Sequence, residues 1–365
     1  MTSGVRSGPH PPEFLAGRSI CDLTMPTPPE EPKIDGYRFP ALIDLHIHGG
    51  FGWDFSFGDP DRIEAMLDAF IPTGLTGVVA TLITCSEEQR MKALADIAAV
   101  AARRKKPPAI LGIYLEGPFL SPARRGSHPE TLLLKPDIDA VRRWQRQASG
   151  LIRLVTVAPE LPGAAELIAE LPKHGIRTAL GHTDADHRTA LWALETGVDH
   201  VTHLFNAMKP FTHRDPSPVS AVFTYHDVMV ELIADGIHVS PDIVAMTSSI
   251  LGPEHLVFVS DGVCPLGLPN GEYDAYGTRL EIRDGRCTYV GGHLFGGGKS
   301  LVDCIPILHE KARLPLDEIA DGIGTNPCRV LRSDLPPGDV ILDRNLRWRA
   351  THFNDIWYWR FDESQ

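Results

Sequence analysis

The ten residues ALIDLHIHGG, at positions 41–50, start as an apolar strand and end in two histidines followed by two glycines. Side chains on a strand alternate between its two faces, so His46 and His48 point the same way. Two histidines that face one way at the end of a strand provide half of a metal site. From this stretch alone, a solvated strand end that carries histidines by chance is the simpler explanation, and the rest of the chain decides between the two.

The composition is that of an ordinary globular protein, with 43% hydrophobic and 22% charged residues in a chain of 365. This length fits two average domains, and it also fits one large α/β barrel with a small appendage. No apolar run reaches the roughly 18 residues that a transmembrane helix needs. The stretch at 1–17 lacks the charged-then-apolar pattern of a signal peptide. We therefore expect a cytoplasmic protein without a membrane segment.

Cysteine usage and charge argue against several classes of function. The six cysteines are scattered and form no C-x-x-C pair, which argues against a disulfide framework and against a thiolate zinc site. The formal net charge of −12 argues against nucleic acid as a partner. A small anionic substrate is compatible with that charge, because it needs only a local cluster of cationic groups.

A repeating pattern of an apolar run, a polar ending and a helical stretch begins at position 41. Buried parallel strands read as nearly continuous apolar runs, and eight such runs that alternate with helices indicate a (β/α)₈ barrel. A doubly wound open sheet is the alternative, but no G-x-G-x-x-G turn follows the first run. The eight runs are 41–48, 76–84, 109–117, 151–160, 176–182, 200–207, 228–239 and 255–262.

The predicted fold is therefore α/β, a TIM barrel over residues 40–335 with a small appendage. The flanking residues 1–39 are rich in proline, and residues 336–365 alternate in a way that suggests a few strands. We expect the two ends of the chain to pair into a small, β-sandwich-like appendage.

Two helices carry terminal signals that can be checked against the structure. Ser86 and Gln89 form a candidate capping box for the helix that follows the second run. A later helix is expected to open at Thr183 or Asp184 and to end at Gly197.

Side chains of the metal-binding types stand at the ends of most of the eight runs. The active sites of such barrels lie at the C-terminal ends of the strands. An isolated histidine on a strand is more often a hydrogen-bonded structural residue than a ligand. Seven ligand-type side chains at the same end of successive strands are hard to explain in that way, and they predict a metal site. They are His46 and His48 on strand one, Glu116 on strand three, His182 on strand five, His203 on strand six, His238 on strand seven and Asp261 on strand eight.

The ligand types also indicate the chemistry. Histidine and carboxylate without thiolate suit zinc, iron, cobalt or manganese, with one position left for water or substrate. Such an ion lowers the pKa of bound water and polarises a carbonyl. A carboxylate that is not committed to the ion, such as Asp261, can take the proton of the water and later pass it to a leaving amine. The residues alone therefore predict metal-assisted hydrolysis of a C–N bond.

The H-x-H on strand one, the histidines on strands five and six and the aspartate on strand eight resemble the amidohydrolase superfamily. Within it, the chain resembles the N-acetylglucosamine-6-phosphate deacetylases over about residues 41–330. LEGPF and HLFNAM are specific motifs, whereas H-x-H alone would be weak. The motifs that carry the resemblance, in family order, are LEGPFLSP at 115–122, RGSHP at 125–129, GHT at 181–183, HLFNAM at 203–208, HRDP at 213–216 and ADGIH at 234–238.

The resemblance implies hydrolysis of the acetamide of N-acetylglucosamine 6-phosphate with one or two divalent ions per subunit. Glu116, His182 and His203 match the principal metal ligands of the family. His46 and His48 keep the capacity for a second ion, because some deacetylases replace these histidines with amides and work with one metal. The ion itself is expected to be zinc, iron, cobalt or manganese.

The resemblance also implies catalytic and substrate-binding residues. Asp261 matches the catalytic aspartate, and His128 matches a histidine near the substrate carbonyl, where it helps to stabilise the oxyanion. Arg214 offers a planar fork of donors that suits phosphate oxygens, and in a homodimer it can come from the neighbouring subunit. The substrate-contacting positions are Ser127, Asn206, Ala207, Arg214, His238, Leu294, Phe295, Gly296 and Gly297.

Three other functions are compatible with parts of this pattern. A deacetylase for another amino-sugar phosphate, such as N-acetylgalactosamine 6-phosphate, would use the same metal chemistry and differ only in contacts to one hydroxyl. A cyclic amidase usually carries a modified lysine at the end of strand four, where this chain has LIRLVTVAPE and no lysine. A non-catalytic scaffold predicts the loss of ligands or of Asp261, and all of them are present.

Overall fold

Eight parallel strands close into a barrel at the centre of the molecule, in a computed structural model that describes residues 34–333 and 338–359. The described strands are Gly36–Phe39 (β1), Ile43–Ile47 (β2), Gly49–Gly50 (β3), Trp53–Asp54 (β4), Gly77–Leu82 (β5), Ala109–Phe119 (β6), Ile152–Val157 (β7), Arg177–Leu180 (β8), Val198–Val201 (β9), Met229–Ile233 (β10), Leu256–Val259 (β11), Gly271–Ala275 (β12), Thr278–Arg283 (β13), Arg286–Tyr289 (β14), Leu294–Gly297 (β15), Asp339–Asp343 (β16), Trp348–Phe353 (β17) and Ile356–Trp359 (β18).

The barrel consists of β2 and β5 to β11, which pair in chain order. A parallel bridge between Ile47 and Gly262 joins the first of these strands to the end of the last one. Each of the eight apolar runs overlaps one barrel strand, so the predicted (β/α)₈ barrel is confirmed and the doubly wound open sheet is wrong. Strand β5, GVVATL, is buried at every position, as expected of a strand that is covered on both faces.

Helices cover the outside of the barrel. Helices α1 to α7 each connect two consecutive barrel strands, and α8 to α10 follow the last one. They are Pro60–Ala69 (α1), Glu87–Arg103 (α2), Ile138–Gln147 (α3), Ala164–Glu170 (α4), His187–Thr196 (α5), Pro218–Tyr225 (α6), Pro241–Leu251 (α7), Leu301–Pro306 (α8), Leu316–Ala320 (α9) and Asn326–Leu331 (α10). In the part of the chain that the structure describes, no helix has the length and apolar character needed to cross a membrane.

The helix starts are set by side-chain caps. The hydroxyl of Ser86 accepts the backbone N–H of Gln89 at 3.2 Å, so Ser86 begins α2 as expected. The side chain of Gln89 does not return that hydrogen bond, because it donates to the carbonyl of Ser56 at 2.7 Å. The full capping box is therefore wrong, and only its N-cap half is present.

Helix α5 begins later than its sequence signals indicated. Its N-cap is Asp186, whose carboxylate accepts the N–H of Thr189 at 2.8 Å. Thr183 instead donates its hydroxyl to Glu160 at 2.6 Å, which ties the end of β8 to the segment after β7. The start at Thr183 or Asp184 is wrong, while the end at Gly197 is confirmed.

The two ends of the chain share a second, four-stranded sheet. Strand β1 pairs with β16, and β17 and β18 continue the sheet antiparallel. The sheet packs on the barrel through Val340 and Trp348, which lie next to Gly74. The contact is close, since a Cβ added to Gly74 would be only 2.6 Å from the Trp348 ring. The predicted β appendage formed by the two termini is confirmed. The boundaries at 39/40 and 335/336 stay a prediction, and residues 1–33, 334–337 and 360–365 lie outside the described residues.

A third sheet follows the last barrel strand. Strands β12 to β15 form an antiparallel meander that the sequence analysis did not predict. Its last strand reaches the barrel rim, because the N–H of Gly297 donates to the carbonyl of Asp261 at 2.7 Å. The N–H of Val263 donates back to the carbonyl of Gly297 at 3.2 Å. This inserted sheet therefore holds the backbone around Asp261 from the side opposite the barrel.

Candidate active site

Six ligand-type side chains converge at the C-terminal ends of the barrel strands, in two groups of three. All six are buried, with between 0% and 8% of each residue exposed. The groups are Glu116 with His182 and His203, and His46 with His48 and Asp261. The sequence predicts all six as candidate site residues, and the structure brings all six together.

The first group is built around one carboxylate oxygen. Oε1 of Glu116 lies 2.9 Å from Nε2 of His182 and 2.8 Å from Nε2 of His203. Nδ1 of His182 lies 2.9 Å from the carbonyl of Arg124. A carbonyl only accepts hydrogen bonds, so Nδ1 carries the proton and the Nε2 lone pair of His182 faces the cluster.

The second group lies beside the first. Nε2 of His46 and Nε2 of His48 are 3.5 Å and 3.3 Å from Oδ1 of Asp261. Glu116 connects the two groups, since its Oε1 is 3.6 Å from Nε2 of His46 and its Oε2 is 3.0 Å from Nε2 of His48. Glu116 therefore contacts candidate ligands of both groups.

Two pairs of imidazole nitrogens face each other in this cluster. Nε2 of His46 lies 3.3 Å from Nε2 of His48, and Nε2 of His182 lies 3.2 Å from Nε2 of His203. Unprotonated nitrogens repel at this distance, whereas a shared cation attracts both. Donor atoms on a tetrahedral zinc ion with bonds of about 2.0 Å lie about 3.3 Å apart. The donor types and their spacing therefore fit a divalent ion.

The charges of the cluster also attract a cation. Burial raises the pKa of Glu116, but the nearby His46, His128 and His182 outweigh that effect and hold the pKa well below its ordinary value. Burial lowers the pKa of His48, but hydrogen bonds with Asp261 and Glu116 outweigh it and raise the pKa to about 9. The carboxylates thus draw positive charge to the histidines, as a proton or as a metal ion.

The backbone is strained where it presents the ligands. His182, His203 and Asp261 have φ angles of +48°, +23° and +49°, which non-glycine residues seldom adopt. The N–H of Asp261 donates to the carbonyl of His46 at 3.0 Å, and the inserted sheet binds the Asp261 carbonyl. Such strain persists where the surrounding structure over-determines it, and it is typical of functional sites.

His128 lies against the cluster from the loop after β6. Its Nε2 is 3.2 Å from Oε2 of Glu116. Its Nδ1 accepts the backbone N–H of Thr84 at 3.2 Å. A backbone N–H can only donate, so Nδ1 is unprotonated and Nε2 carries the proton. Burial lowers the pKa of His128 to about 4, despite the opposing effect of Glu116, so the ring is neutral at physiological pH.

Most of the expected substrate-binding residues lie around this cluster. Gly126 packs against the ring of His182, and a Cβ added to Gly126 would lie 3.8 Å from the side chain of Ala207. The neighbouring Ser127 therefore lies at the rim of the site. Asn206 is half-buried and donates its backbone N–H to the carbonyl of His203 at 3.1 Å. The segment Leu294–Gly297 is strand β15 of the inserted sheet, beside Asp261.

Two further predicted residues differ in how the structure places them. Nδ1 of His238 donates to Oδ2 of the buried Asp235 at 2.8 Å, which leaves Nε2 as an acceptor for a hydroxyl group. Arg214 lies in the exposed loop at 210–216, and its guanidinium has no hydrogen bond or ion pair with another described residue. No contact between Arg214 and the cluster is found among the described residues.

The residues that hold the histidines of the site in place were not predicted from the sequence. Glu231 is fully buried in β10 and hydrogen-bonds both His46 and His200. Its only sequence signal is an acidic residue in the middle of the apolar run VMVELI, where charged side chains are rare unless paired. Thr84, which orients His128, had no signal in the sequence.

Comparison with known proteins gives consistent results. The sequence pattern of the amidohydrolase family matches residues 37–271. The N-acetylglucosamine-6-phosphate deacetylase of Bacillus subtilis (strain 168) is 35% identical over 265 residues, which cover 72% of this chain and 67% of the relative. The enzyme of that name from Bos taurus is 33% identical, over 89% of this chain and 84% of the relative.

A solved structure shows the same architecture. It is an aspartate-to-alanine mutant of N-acetyl-D-glucosamine-6-phosphate deacetylase from Mycobacterium smegmatis, in complex with N-acetyl-D-glucosamine-6-phosphate. It superposes with a TM-score of 0.84 at 29% identity, over 92% of this chain and 91% of that one.

Proposed function

This chain belongs to the amidohydrolase family and, within it, to the N-acetylglucosamine-6-phosphate deacetylases, and on that premise we propose the reaction that it catalyses. It hydrolyses the acetamide of N-acetyl-D-glucosamine 6-phosphate to D-glucosamine 6-phosphate and acetate. The observation that carries this proposal is the buried cluster of four histidines and two carboxylates at the C-terminal end of the barrel.

The cluster would hold one or two divalent ions. Glu116, His182 and His203 would hold the first ion, and His46 and His48 would hold a second one with Glu116 as a bridge. A divalent ion acts as a Lewis acid that makes water nucleophilic at neutral pH and polarises a carbonyl. The ligand set suits zinc, iron, cobalt or manganese, since it contains nitrogen and oxygen donors without thiolate.

Asp261 would act as the general base and then as the general acid. Burial raises its pKa, but the hydrogen bond with His48 outweighs that effect and keeps the pKa below its ordinary value. Its carboxylate is therefore ionised at neutral pH and can accept the proton of the attacking water. The same carboxyl group would then donate that proton to the glucosamine nitrogen as the C–N bond breaks.

His128 would stabilise the charge that develops on the acetamide oxygen. Because Thr84 fixes its tautomer, its Nε2–H is a neutral donor that points towards the cluster. A preorganised donor of this kind in a buried site stabilises an oxyanion more than water does.

The sugar phosphate would bind at the rim of the site. His238 offers Nε2 to a sugar hydroxyl, while Ser127, Asn206 and Ala207 line one side and strand β15 lines the other. We infer that the protein is a homodimer in which Arg214 reaches the phosphate of the neighbouring subunit, because its guanidinium is exposed and no other described residue binds it.

We also infer a cytoplasmic location. Four cysteines of the described residues, Cys85, Cys264, Cys287 and Cys304, are buried thiols that form no disulfide, although an oxidising compartment favours disulfides.

The decisive experiment measures amine release from N-acetylglucosamine 6-phosphate, from the unphosphorylated sugar and from the galactosamine epimer. Metal-depleted protein is assayed after zinc, iron(II), cobalt or manganese is restored singly, and Asp261→Asn serves as the matched variant. Metal-dependent turnover of the glucosamine phosphate, reduced about 10²- to 10⁴-fold in the variant, is the expected result. Turnover of the galactosamine epimer alone would support the deacetylation chemistry and contradict the proposed substrate. No turnover with any ion would contradict the proposed deacetylase activity.

A further inference from the structure

Glu231 is a buried charge that the proposed reaction does not use. It lies in barrel strand β10, has 0% exposure, and is flanked by the buried Val230 and Leu232. Removing a carboxylate from water is costly unless its oxygens accept several hydrogen bonds. The partners of Glu231 therefore show why a charge is present in an otherwise apolar strand.

Three donors converge on this carboxylate, and all three come from histidine residues. Oε2 accepts from Nδ1 of His46 at 2.8 Å and from the backbone N–H of His203 at 3.1 Å. Oε1 accepts from Nε2 of His200 at 2.7 Å. Glu231 thus contacts one residue from each of the two ligand groups and one histidine that belongs to neither.

The contact with His46 determines what that ring can do. A carboxylate accepts and does not donate, so Nδ1 of His46 carries its proton and Nε2 presents a lone pair. That Nε2 faces the cluster, 3.3 Å from Nε2 of His48 and 3.5 Å from Oδ1 of Asp261. The ring of Tyr114 packs against the ring of His46, with 5.0 Å between ring centroids.

The contact with His203 has a different character. Glu231 holds only the main chain of this ligand, whose ring is placed by its contacts with Glu116 and His182. The neighbouring ligand His48 has no equivalent support, because its Nδ1 has no hydrogen-bond partner among the described residues. Of the side chains that would hold a second ion, His46 is therefore the one whose tautomer is set by Glu231.

We propose that Glu231 is a positioning residue for metal binding, which orients Nε2 of His46 and thereby sets the affinity of the second ion position, at His46 and His48. The proposal rests on the proposed function, because it assigns a supporting residue to the same metal cluster. It adds a carboxylate–histidine–metal arrangement to strand β10, and such supporting contacts typically contribute about 10- to 100-fold in metal affinity.

The test measures binding of Zn²⁺ and Co²⁺ to full-length protein without substrate. Metal-depleted wild type, Glu231→Leu, Glu231→Gln and His46→Asn are titrated, and bound metal is counted by equilibrium dialysis and followed by the visible spectrum of Co²⁺. We expect two ions per wild-type chain. In Glu231→Leu and in His46→Asn the weaker ion, at His46 and His48, should lose about 10- to 100-fold in affinity. The affinity of the tighter ion, at Glu116, His182 and His203, should change little.

Two variants separate positioning from general stabilisation. His200→Asn removes the other histidine side chain that contacts Glu231 and should retain both ions. The double variant Glu231→Leu/His46→Asn should bind metal no more weakly than His46→Asn alone. Glu231→Gln keeps an acceptor of the same shape without the charge, so its weaker ion should lose affinity by a smaller factor. This variant carries the test if Glu231→Leu does not fold.

Several results would overturn the proposal. The first is that Glu231→Leu and Glu231→Gln bind both ions with unchanged affinity. The second is that His200→Asn loses as much metal affinity as Glu231→Leu. The third is that wild type binds a single ion whose affinity is the same after replacement of Glu231 or of His46. A failure of the proposed reaction would be seen separately, as metal-loaded wild type that binds both ions and releases no amine.

Discussion

At the scale of single residues, the orientation of one imidazole ring decides whether His128 can serve the reaction. Replacing His128 with Asn is expected to lower kcat about 10²- to 10³-fold, because the donor to the developing oxyanion is lost, while KM changes less. Steady-state kinetics together with the metal content of the variant measure this. Thr84→Val is the matched control, because it removes the hydroxyl 2.8 Å from Nδ1 and keeps the backbone N–H. A loss in Thr84→Val as large as that in His128→Asn would show that the hydroxyl, and not the amide, sets the tautomer.

Asp44 is a second residue whose ionisation has a measurable effect. Burial raises its pKa to about 7, although hydrogen bonding with Ser260 acts in the opposite direction. The folded chain therefore holds this proton more tightly than the unfolded chain, whose Asp pKa is about 3.9. The stability contributed by the neutral form is complete below about pH 4 and is lost as the pH rises towards 7.

Replacing Asp44 with Asn should consequently stabilise the protein in alkaline solution. We expect Asp44→Asn to unfold like wild type near pH 4 and to be more stable at pH 8 by on the order of a few kcal/mol. Thermal melts between those pH values measure the difference. Asp61→Asn, at a fully exposed side chain, is the control and should leave the pH profile unchanged. A difference that is constant with pH would contradict the assignment.

At the scale of elements, the inserted sheet is the part of the molecule that holds Asp261 in place. A Cβ on Gly297 would lie 1.9 Å from the carbonyl oxygen of Ser260, so Gly297→Ala must push β15 away from the strand end. We expect kcat/KM to fall at least tenfold with little change in the far-ultraviolet circular dichroism spectrum, because small misplacements of catalytic groups are costly. Gly277→Ala, in a turn of the same sheet with no atom within 4 Å of the new Cβ, should cost about 1 kcal/mol in stability and keep activity.

The elements differ in how well the sequence predicts them, and the reason is physical. The eight barrel strands are buried on both faces, so each one is visible as an apolar run. Strands β12 and β13 are half-exposed and mostly polar, and β14 and β15 have only four residues each, so the sequence carries no comparable signal for them. The helix after His182 starts at Asp186 rather than Thr183 because Glu160, distant in the sequence, binds the Thr183 hydroxyl.

The same distinction applies to the candidate site. The six ligand-type residues were selected because barrel strands end on one rim, which is a property of the fold class. Glu231 was missed because its role depends on the distance between β10 and β2 across the barrel, and no local pattern encodes that distance. Arg214 was selected from a motif, and the single chain leaves it exposed.

At the scale of the whole molecule, the metal is expected to stabilise the barrel, because the cluster joins side chains from five of its eight strands or their ends. An ion present at a thousand times its Kd stabilises a fold by about 4 kcal/mol. Chelation should therefore lower the Tm of wild type by several °C, and added Zn²⁺ should restore it. Glu116→Ala, which removes the bridging carboxylate, should melt at the same temperature with and without chelator. An equal response of wild type and Glu116→Ala would show that the chelator acts elsewhere.

The pairing of β1 with β16 has a consequence for how the chain is made. Arg38 and Asp339, which bind each other across these two strands, are 301 residues apart in the sequence. At roughly 5–20 residues per second, a ribosome exposes β1 about 15–60 s before its partner emerges. During translation β1 is therefore an unpaired edge that can recruit a strand from another nascent chain. The appendage sheet can form only after the barrel has been synthesised, so its assembly is a late step in the biogenesis of the protein.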